Sequence, residues 1–275
     1  MAVRNKTVGN KMITTGCVIL CLLTMFAVFV PAFSGQSYSD QNAAMQNLGS
    51  SSEHWLGTDK FGRDIFTRIW YAMRISLLTG LGSAAICGVF GTLYGAVSGY
   101  AGGRLDMFLM RVADVIDAIP SLLYIILIRL AFGGNVWCVL SGICISGWIE
   151  PARLVRGEVL RLKQKTFCPA SRLAGAGDGR ILWKHILPNA AGPLIVNLTF
   201  FAPKAILTEA FLSFLGVGIS APAASLGTLI QEARSQMRIY PSQMLYPVLA
   251  LCLLTVSFHL IGTGLEEVQR MKQGA

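Results

Sequence analysis

The sequence is short of charge. Only 13% of its 275 residues are Asp, Glu, Lys or Arg, whereas 53% are hydrophobic. A soluble domain usually carries about a quarter charged residues. This shortage, together with the abundance of Leu, Ile, Val and Phe, excludes a disordered chain and argues against an ordinary soluble enzyme. The class that remains is a polytopic helical membrane protein, all-α in fold class.

Signatures of catalysis and ligand binding are also missing. The sequence contains no Gly-x-x-x-x-Gly-Lys-Ser/Thr phosphate loop, no His-Glu-x-x-His zinc motif and no Gly-x-Ser-x-Gly nucleophile elbow. Its seven cysteines lack the spacing of metal ligands, and all but Cys168 lie in apolar stretches, which indicates buried free thiols. We therefore expect a chain that is not an enzyme and binds no metal or cofactor of its own. Nor does it carry a motif for nucleic acid.

Six stretches are long and apolar enough to cross a membrane. A spanning helix needs about 20 predominantly apolar residues, and the strands of a barrel would be shorter and alternating. The predicted spans are 12–33, 76–99, 110–132, 135–152, 190–211 and 243–264. Pro120 is expected to bend the third span, and the run 210–231 is not counted because glycines and Pro222 interrupt it. We interpret the first span as a retained helix, with a cleaved signal peptide as the alternative.

Lysine and arginine predict the orientation of these spans. If both termini lie inside the cell, 15 of the 23 basic residues fall in inner segments and six in outer segments. Arg4, Lys6 and Lys272 contribute to the inner total. Because inner loops of membrane proteins carry the excess of Lys and Arg, we expect a multi-pass protein with both termini in the cytoplasm.

The longest inner segment, residues 153–188, is strongly basic and too polar to enter lipid. Residues 153–168 predict a charged helix that extends the fourth span. Three glycines then break the helix, namely Gly175, Gly177 and Gly179. The helix resumes over 180–187, and Pro188 marks the start of the fifth span. A short helix held below the membrane between two turns suits contact with a soluble partner protein, and a solvated basic loop is the alternative.

An amphipathic stretch precedes the second span. Residues 59–74 place apolar side chains on one helical stripe and charged side chains on the other face, with Asp59 as a candidate N-cap. We expect a helix that either lies along the membrane surface or packs on the outer mouth of the bundle. In the second span, glycines recur every four residues, which favours close approach of a neighbouring helix. These are Gly91, Gly95, Gly99 and Gly103.

Four acidic or basic residues within the spans are candidates for function, because such residues usually face the interior of a bundle. Asp114 and Asp117 lie in the third span, and Arg111 has the spacing to pair with Asp114. Lys204 and Glu209 lie deeper, in the fifth span. The alternatives are structural ion pairs and the polar lining of a pathway or a subunit interface.

The inner segment resembles the coupling segment of ABC importer permeases. The hallmark of that family is Glu-Ala-Ala, three further residues and Gly, followed after about nine residues by a hydrophobic residue, any residue and Leu-Pro. The corresponding residues here are Pro169-Ala170-Ser171, Gly175 and Leu187-Pro188. Proline replaces the usual Glu, and proline is well suited to a first helical turn.

Further motifs resemble the C-type subunit of the dipeptide, oligopeptide and nickel branch of this family. In the first half of the chain they are Leu56-Gly57-Thr58-Asp59, Gly62-Arg63-Asp64, Gly99-Tyr-Ala-Gly-Gly103 and Met110-Arg-Val-Ala-Asp114. In the second half they are His185-Ile-Leu-Pro-Asn189, Ile206-Leu-Thr-Glu209 and Ser213-Phe-Leu-Gly-Val-Gly218. The resemblance covers roughly residues 54–265. The tail, Gly262-Thr-Gly-Leu-Glu-Glu267, departs from the Asp-rich end that is usual in the family.

The resemblance implies a subunit of the bacterial inner membrane with the type I ABC importer permease fold. Such a chain pairs with a second homologous permease, two cytoplasmic ATPases that bind ATP and Mg, and an external solute-binding protein. Residues 169–187 would then be the coupling helix, seated in a groove of one ATPase. Its candidate docking residues are Pro169, Ala170, Ser171, Gly175, Asp178, Leu187 and Pro188.

The resemblance also implies an organisation and a cargo. Residues 1–74 are expected to form the N-terminal tail, the first span and the outer segment. Residues 75–265 form the permease core with its inner loop 153–188, and residues 266–275 form a cytoplasmic tail. Dipeptides or oligopeptides are the expected cargo, with nickel or a metal chelate as the alternative and an ion-gradient-driven carrier as a more distant one.

Overall fold

The computed structural model describes residues 2–273, and the side chains of residues 7–271. The side chains of Arg4, Lys6 and Lys272, which support the predicted orientation, lie outside these ranges, as do the last residues of the predicted tail, 274–275. The helices are α1 (Ala2–Phe33), α2 (Ile65–Ala101), α3 (Gly103–Asp117), α4 (Ser121–Phe132), α5 (Val136–Gly147), α6 (Ile149–Lys163), α7 (Phe167–Leu173), α8 (Asp178–Ile181), α9 (Leu187–Phe214), α10 (Leu226–Ala233) and α11 (Pro241–Gln273). Within the described residues, the only β-type pairing is an isolated bridge between Thr58 and Asp64.

Five helical stretches in the described part are long and apolar enough to cross a membrane, and the bent pair α3–α4 makes a sixth. The five are Thr7–Phe33, Ile65–Ala101, Val136–Lys163, Asp178–Phe214 and Pro241–Met271. The prediction of an all-α membrane protein with about six spans is confirmed. The third span is broken rather than bent, because α3 and α4 meet at 71°. Pro120 has no N–H to donate and disfavours helical backbone at Ile119, so the helix ends there and restarts.

The second span begins earlier than predicted. Asp64 caps α2 by accepting a hydrogen bond from the backbone N–H of Thr67 at 2.7 Å. Residues 65–74 are therefore the first turns of α2 and not a separate helix along the membrane surface. Asp59, the predicted cap, instead closes the turn that precedes the helix.

Glycines bring α2 and α6 into close contact. At Gly95, an added Cβ would lie 2.2 Å from the carbonyl oxygen of Ala152. At Gly91 and Gly99 it would lie 2.6 Å and 2.9 Å from the carbonyl oxygens of Trp148 and Arg156. Only residues without a side chain allow two helix backbones to approach this closely. Gly103, the fourth glycine of the predicted stripe, has φ +58° and open space around it, so it serves the break between α2 and α3.

The outer end of α1 is held by Arg74 of α2. Pro31 lies inside α1 and has no N–H, so the carbonyl of Ala27 loses its helical donor. Arg74 supplies the missing donor through Nε, which is bonded to the carbonyl of Ala27, and one of its terminal nitrogens also lies 2.6 Å from the carbonyl of Val28. Backbone groups freed by proline in a membrane helix must find such partners, because lipid offers none.

A cluster of four charged side chains fixes the outer segment to α10. Arg63 lies 2.7 Å from Asp59 and 2.5 Å from Glu232, and Arg68 contacts the same two carboxylates. We call these four residues the outer ion cluster. Burial alone raises the pKa of Asp59, but the hydrogen bonds and positive charges of Arg63 and Arg68 outweigh it and hold that pKa below its ordinary value.

Candidate functional site

The predicted coupling segment, residues 167–187, connects α6 and α9. The charged helix that extends the fourth span ends at Lys163, a few residues earlier than predicted, and α7 forms a separate short helix. The break falls at 174–177, so Gly179 lies inside α8 rather than in the turn. From Asp178 onward the chain is helical without interruption into α9, and Pro188 therefore does not start a new helix.

A π-helical turn, Leu182–Ile186, accommodates Pro188. The backbone N–H of Leu187 donates to the carbonyl of Leu182, five residues back. The ring of a proline clashes with the carbonyl four residues before it in a regular helix. The wider π turn relieves this clash and keeps α8 and α9 continuous, so the coupling segment is joined firmly to the fifth span.

Gly175 shapes the turn at the tip of the segment. Its φ is +82°, and its N–H donates to the carbonyl of Arg172 at 2.9 Å, while that of Ala176 donates to Ser171 at 3.0 Å. This is the Schellman pattern that ends helices with a left-handed residue. An added Cβ at Gly175 would meet nothing within 4 Å. Glycine is therefore favoured at this position because of its positive φ, and not because a side chain would collide with a neighbour.

The free face of α7 is apolar. Pro169, Ala170 and Leu173 are exposed, and Leu173 is 91% exposed. Behind them, buried apolar residues hold the segment against α2 and α6. These are Ala96, Val155, Val159, Leu162, Cys168, Ile181, Leu182, Ile186 and Ala190. Leu173 therefore presents its side chain to the surroundings from a turn that is supported by a buried apolar cluster.

Asp178 faces the chain itself. Its carboxylate accepts a hydrogen bond from the hydroxyl of Tyr100 at 2.6 Å and pairs with Arg172 at 3.0 Å. Lys163 donates to the backbone carbonyl of Tyr100 at 2.6 Å. Together these contacts tie the turn to the C-terminal end of α2. Among the other predicted docking residues, Ser171 donates its hydroxyl to Phe167 within α7, Leu187 is half-buried, and Pro188 is exposed.

A second candidate site is a cavity of about 390 Å³ between the α3–α4 break, α5, α6 and α9. Four charged side chains line it, namely Asp117, Glu150, Arg153 and Lys204. Apolar and hydroxyl side chains complete the lining, among them Ile125, Phe201, Ser121, Ser146 and Thr208. We call this the polar cavity. It brings together Asp117 and Lys204, two of the four residues that the sequence marked within the spans.

The charges of the polar cavity form two groups. Arg153 pairs with both Asp114, at 2.9 Å, and Asp117, at 2.7 Å. The predicted pair of Arg111 with Asp114 exists only as a long contact of 3.9 Å. Lys204 pairs with Glu150 at 3.1 Å.

Comparison with known proteins decides the family. Residues 91–270 match the family described as "Binding-protein-dependent transport system inner membrane component". The chain belongs to this family of transport permeases. It is similar to the "Oligopeptide transport system permease protein OppC" of Bacillus subtilis, 40% identical over 94% of this chain and 85% of the relative. It is 39% identical to the "Dipeptide transport system permease protein DppC" of the same species, over 94% of this chain and 81% of the relative.

A third relative of this permease is the "Glutathione transport system permease protein GsiD" of Pectobacterium atrosepticum. The identity is 37% over 90% of this chain and 82% of the relative. These comparisons confirm the resemblance to peptide permeases of the C type. The names of the relatives do not favour the nickel alternative.

Glu209 of the permease lies apart from the polar cavity. Its side chain is fully buried, accepts a hydrogen bond from the Ser213 hydroxyl at 2.7 Å and lies 3.5 Å from the Ser76 hydroxyl. Ser76 in turn accepts from the backbone N–H of Leu226 at the start of α10 at 3.3 Å. Glu209 therefore joins α2, α9 and α10 of the permease, whereas Lys204 points to the other side of α9.

Two residues of the polar cavity, Glu150 and Arg153, were missed by the sequence analysis. Glu150 is the only acidic or basic residue of the predicted span 135–152, and that isolation was a usable signal. Arg153 was counted only among the basic residues of the inner loop. Its pairing with Asp114 and Asp117 joins α6 to α3, and the packing of these two helices is not evident from local sequence.

Proposed function

We propose that this permease is one of two membrane subunits of an ATP-driven importer of small peptides. In this proposal it forms half of the translocation pathway with a second homologous permease. It catalyses no reaction itself, since two cytoplasmic ATPases would bind ATP and Mg, and an extracytoplasmic binding protein would deliver the cargo. The relatives named for oligopeptide, dipeptide and glutathione transport support a peptide as cargo.

The observation that carries the proposal is the exposure of charges at membrane depth. Gly80 of α2 packs on Ile206 and Gly91 packs on Trp148, so Lys204 and Glu150 lie level with the middle of α2. Their side chains are 68% and 54% exposed on the chain. Exposed charges at this depth are costly against lipid. A second protein surface and a water-filled path must therefore cover this face.

The coupling segment supplies the contact with the ATPases in this proposal. Pro169, Ala170 and Leu173 would enter a groove of one ATPase, while the contacts of Asp178 with Tyr100 pass its movement to α2. Ser171, Gly175, Leu187 and Pro188 would shape and continue the segment rather than bind. The segment and both termini would lie in the cytoplasm, where the basic residues of the inner loops face anionic lipid.

Substitution of Gly175 tests the coupling role. Gly175→Arg is expected to leave the complex in the membrane but to abolish ATP-dependent uptake, because a side chain strains the φ of +82° and enlarges the docking tip. Gly157→Arg is the matched control, since Gly157 is exposed on α6 with open space around it and lies outside the coupling segment. Uptake of labelled peptide and ATP hydrolysis are measured in proteoliposomes. Uptake that persists after deletion of both ATPases would instead support the ion-gradient carrier.

A further inference from the structure

The two cations of the polar cavity are held to different extents. Arg153 is engaged by the carboxylates of Asp114 and Asp117, at 2.9 and 2.7 Å. Among the described residues, Lys204 has a single ionic partner, Glu150, at the longer distance of 3.1 Å. Lys204 is also the most exposed of the cavity's charged side chains. It is therefore the cation most available to an incoming anion.

A second hydrogen bond would hold Glu150 in place if Lys204 paired with another group. One of its carboxylate oxygens pairs with Lys204, and the other accepts a hydrogen bond from the side-chain amide of Asn197 at 3.0 Å. The amide holds the carboxylate of Glu150 in position without neutralising its charge. Exposed ion pairs contribute little to stability, so exchange of the Lys204 partner is inexpensive.

We propose that Lys204 and Glu150 bind the two charged ends of a peptide as it passes through the cavity. Lys204 pairs with the C-terminal carboxylate and Glu150 pairs with the N-terminal ammonium, so that each residue exchanges its partner within the chain for a cargo group. This inference rests on the proposed function, because it requires the polar cavity to belong to the pathway.

The rest of the lining fits this cargo. A volume of about 390 Å³ lies within the range of about 300–1,000 Å³ that small-molecule sites occupy. Ser121, Ser146 and Thr208 offer hydroxyls to peptide groups, while Ile125 and Phe201 offer apolar surface to side chains. A bare metal cation fits less well, since the described residues contain no group of three or more His, Cys, Asp or Glu side chains placed to hold one.

The test measures how the effect of Lys204 depends on the charge of the cargo. The complete transporter with its binding protein is reconstituted in proteoliposomes, and subsaturating uptake of alanyl-alanine is compared with that of alanyl-alanine amide. The preference of the binding protein enters the ratio of these rates equally for every variant, so it cancels when variants are compared. Lys204→Gln is expected to lower the ratio of acid to amide uptake about fivefold, since a charge-assisted hydrogen bond to the carboxylate is lost.

Matched variants separate the loss of the Lys204 charge from other effects of substitution. Lys204→Arg keeps the charge and should keep the ratio of the wild-type protein. Lys11→Gln makes the same chemical change on an exposed lysine of α1, far from the cavity lining, and should also leave the ratio unchanged. Glu150→Gln provides an independent arm, in which the preference for alanyl-alanine over its N-acetyl derivative should fall by a similar factor.

Two results would overturn the inference, and only the second would also contradict the placement of the polar cavity in the pathway. If Lys204→Gln slows uptake of the acid and the amide equally, the cavity still belongs to the pathway but does not recognise peptide ends. If Lys204→Gln and Glu150→Gln change neither rate, the placement of the polar cavity in the pathway fails as well.

Discussion

The outer ion cluster and the polar cavity each contain two cationic and two acidic side chains, and they differ in how far these side chains are buried. In the outer ion cluster, the side chains of Arg63 and Arg68 are only 9% and 5% exposed, and each contacts two carboxylates. In the polar cavity, Arg153 is 45% and Lys204 is 68% exposed. Each charged side chain of the outer cluster has an ionic partner within this chain, although Nε of Arg68 is buried without a hydrogen-bond partner. The charges of the cavity are also paired within the chain, but their side chains remain exposed.

Burial also determines how much each set of ion pairs contributes to the free energy of unfolding. Breaking a buried ion pair by removing one partner leaves an uncompensated charge away from water and costs about 3–5 kcal/mol. An exposed pair contributes about 0–1 kcal/mol, because water screens it. We therefore expect the outer ion cluster to hold the fold and the polar cavity to serve transport, and the following substitutions test this division.

The largest effect is expected at Asp59. Asp59→Ala leaves Arg63 and Arg68 with only Glu232 as a shared acidic partner, and we expect a loss of about 3–5 kcal/mol in the free energy of unfolding. Thermal unfolding of the complex in detergent measures the loss. Asp40→Ala, at an exposed position of the same outer segment, is the control. A stability equal to that of this control would show that the outer cluster is not structural.

An intermediate effect is expected where α6, which carries Glu150 and Arg153, packs on α2. Gly95→Ala places a methyl group against the carbonyl of Ala152, and overpacking of this kind costs about 1–3 kcal/mol. The same assay applies, together with peptide uptake, which should fall as the cavity wall shifts. Gly157→Ala is the control. It should be neutral or slightly stabilising, because its Cβ meets open space and alanine favours the helix.

The smallest effect on stability is expected at Arg153. Arg153→Gln removes two ion pairs, but both are well exposed, so the free energy of unfolding should change by about 1 kcal/mol or less. Unfolding of the purified complex in detergent provides the measurement. A loss comparable to that of Asp59→Ala would contradict the division between a structural outer cluster and an open cavity.

Much of the architecture could be predicted from the sequence, because membrane helices can be recognised by the length and apolar composition of their segments. The six spans and the close contact at Gly91, Gly95 and Gly99 follow from residues near one another in the chain. The start of α2 was missed because Asp59 and Asp64 are both plausible caps. The choice between them depends on the turn that Asp59 closes and on its contact with distant Glu232.

The site was harder to predict than the fold. Asp117 and Lys204 were identified because charge is rare within a span, but their partners were not. Whether Lys204 meets Glu209, five residues away, or Glu150, in another helix, depends on helix rotation and on the break at Pro120. Pro120 predicts a bend from local sequence, but the rotation of α9 relative to its neighbours depends on packing between distant residues. The coupling segment was predicted from its motif and stays a prediction. The hydrogen bond from Tyr100 to Asp178 could not be predicted, because it joins residues that are 78 positions apart in the chain.

A single helix touches both the outer ion cluster and the coupling segment. α2 carries Arg68 near its first turn and Tyr100 near its last, and its 37 residues extend about 55 Å at 1.5 Å each. Such a helix behaves as a stiff rod on this scale. We expect a small displacement of the Gly175 turn to reach the opposite face of the bilayer as a tilt of this rod, without a relay of rearranging side chains in between.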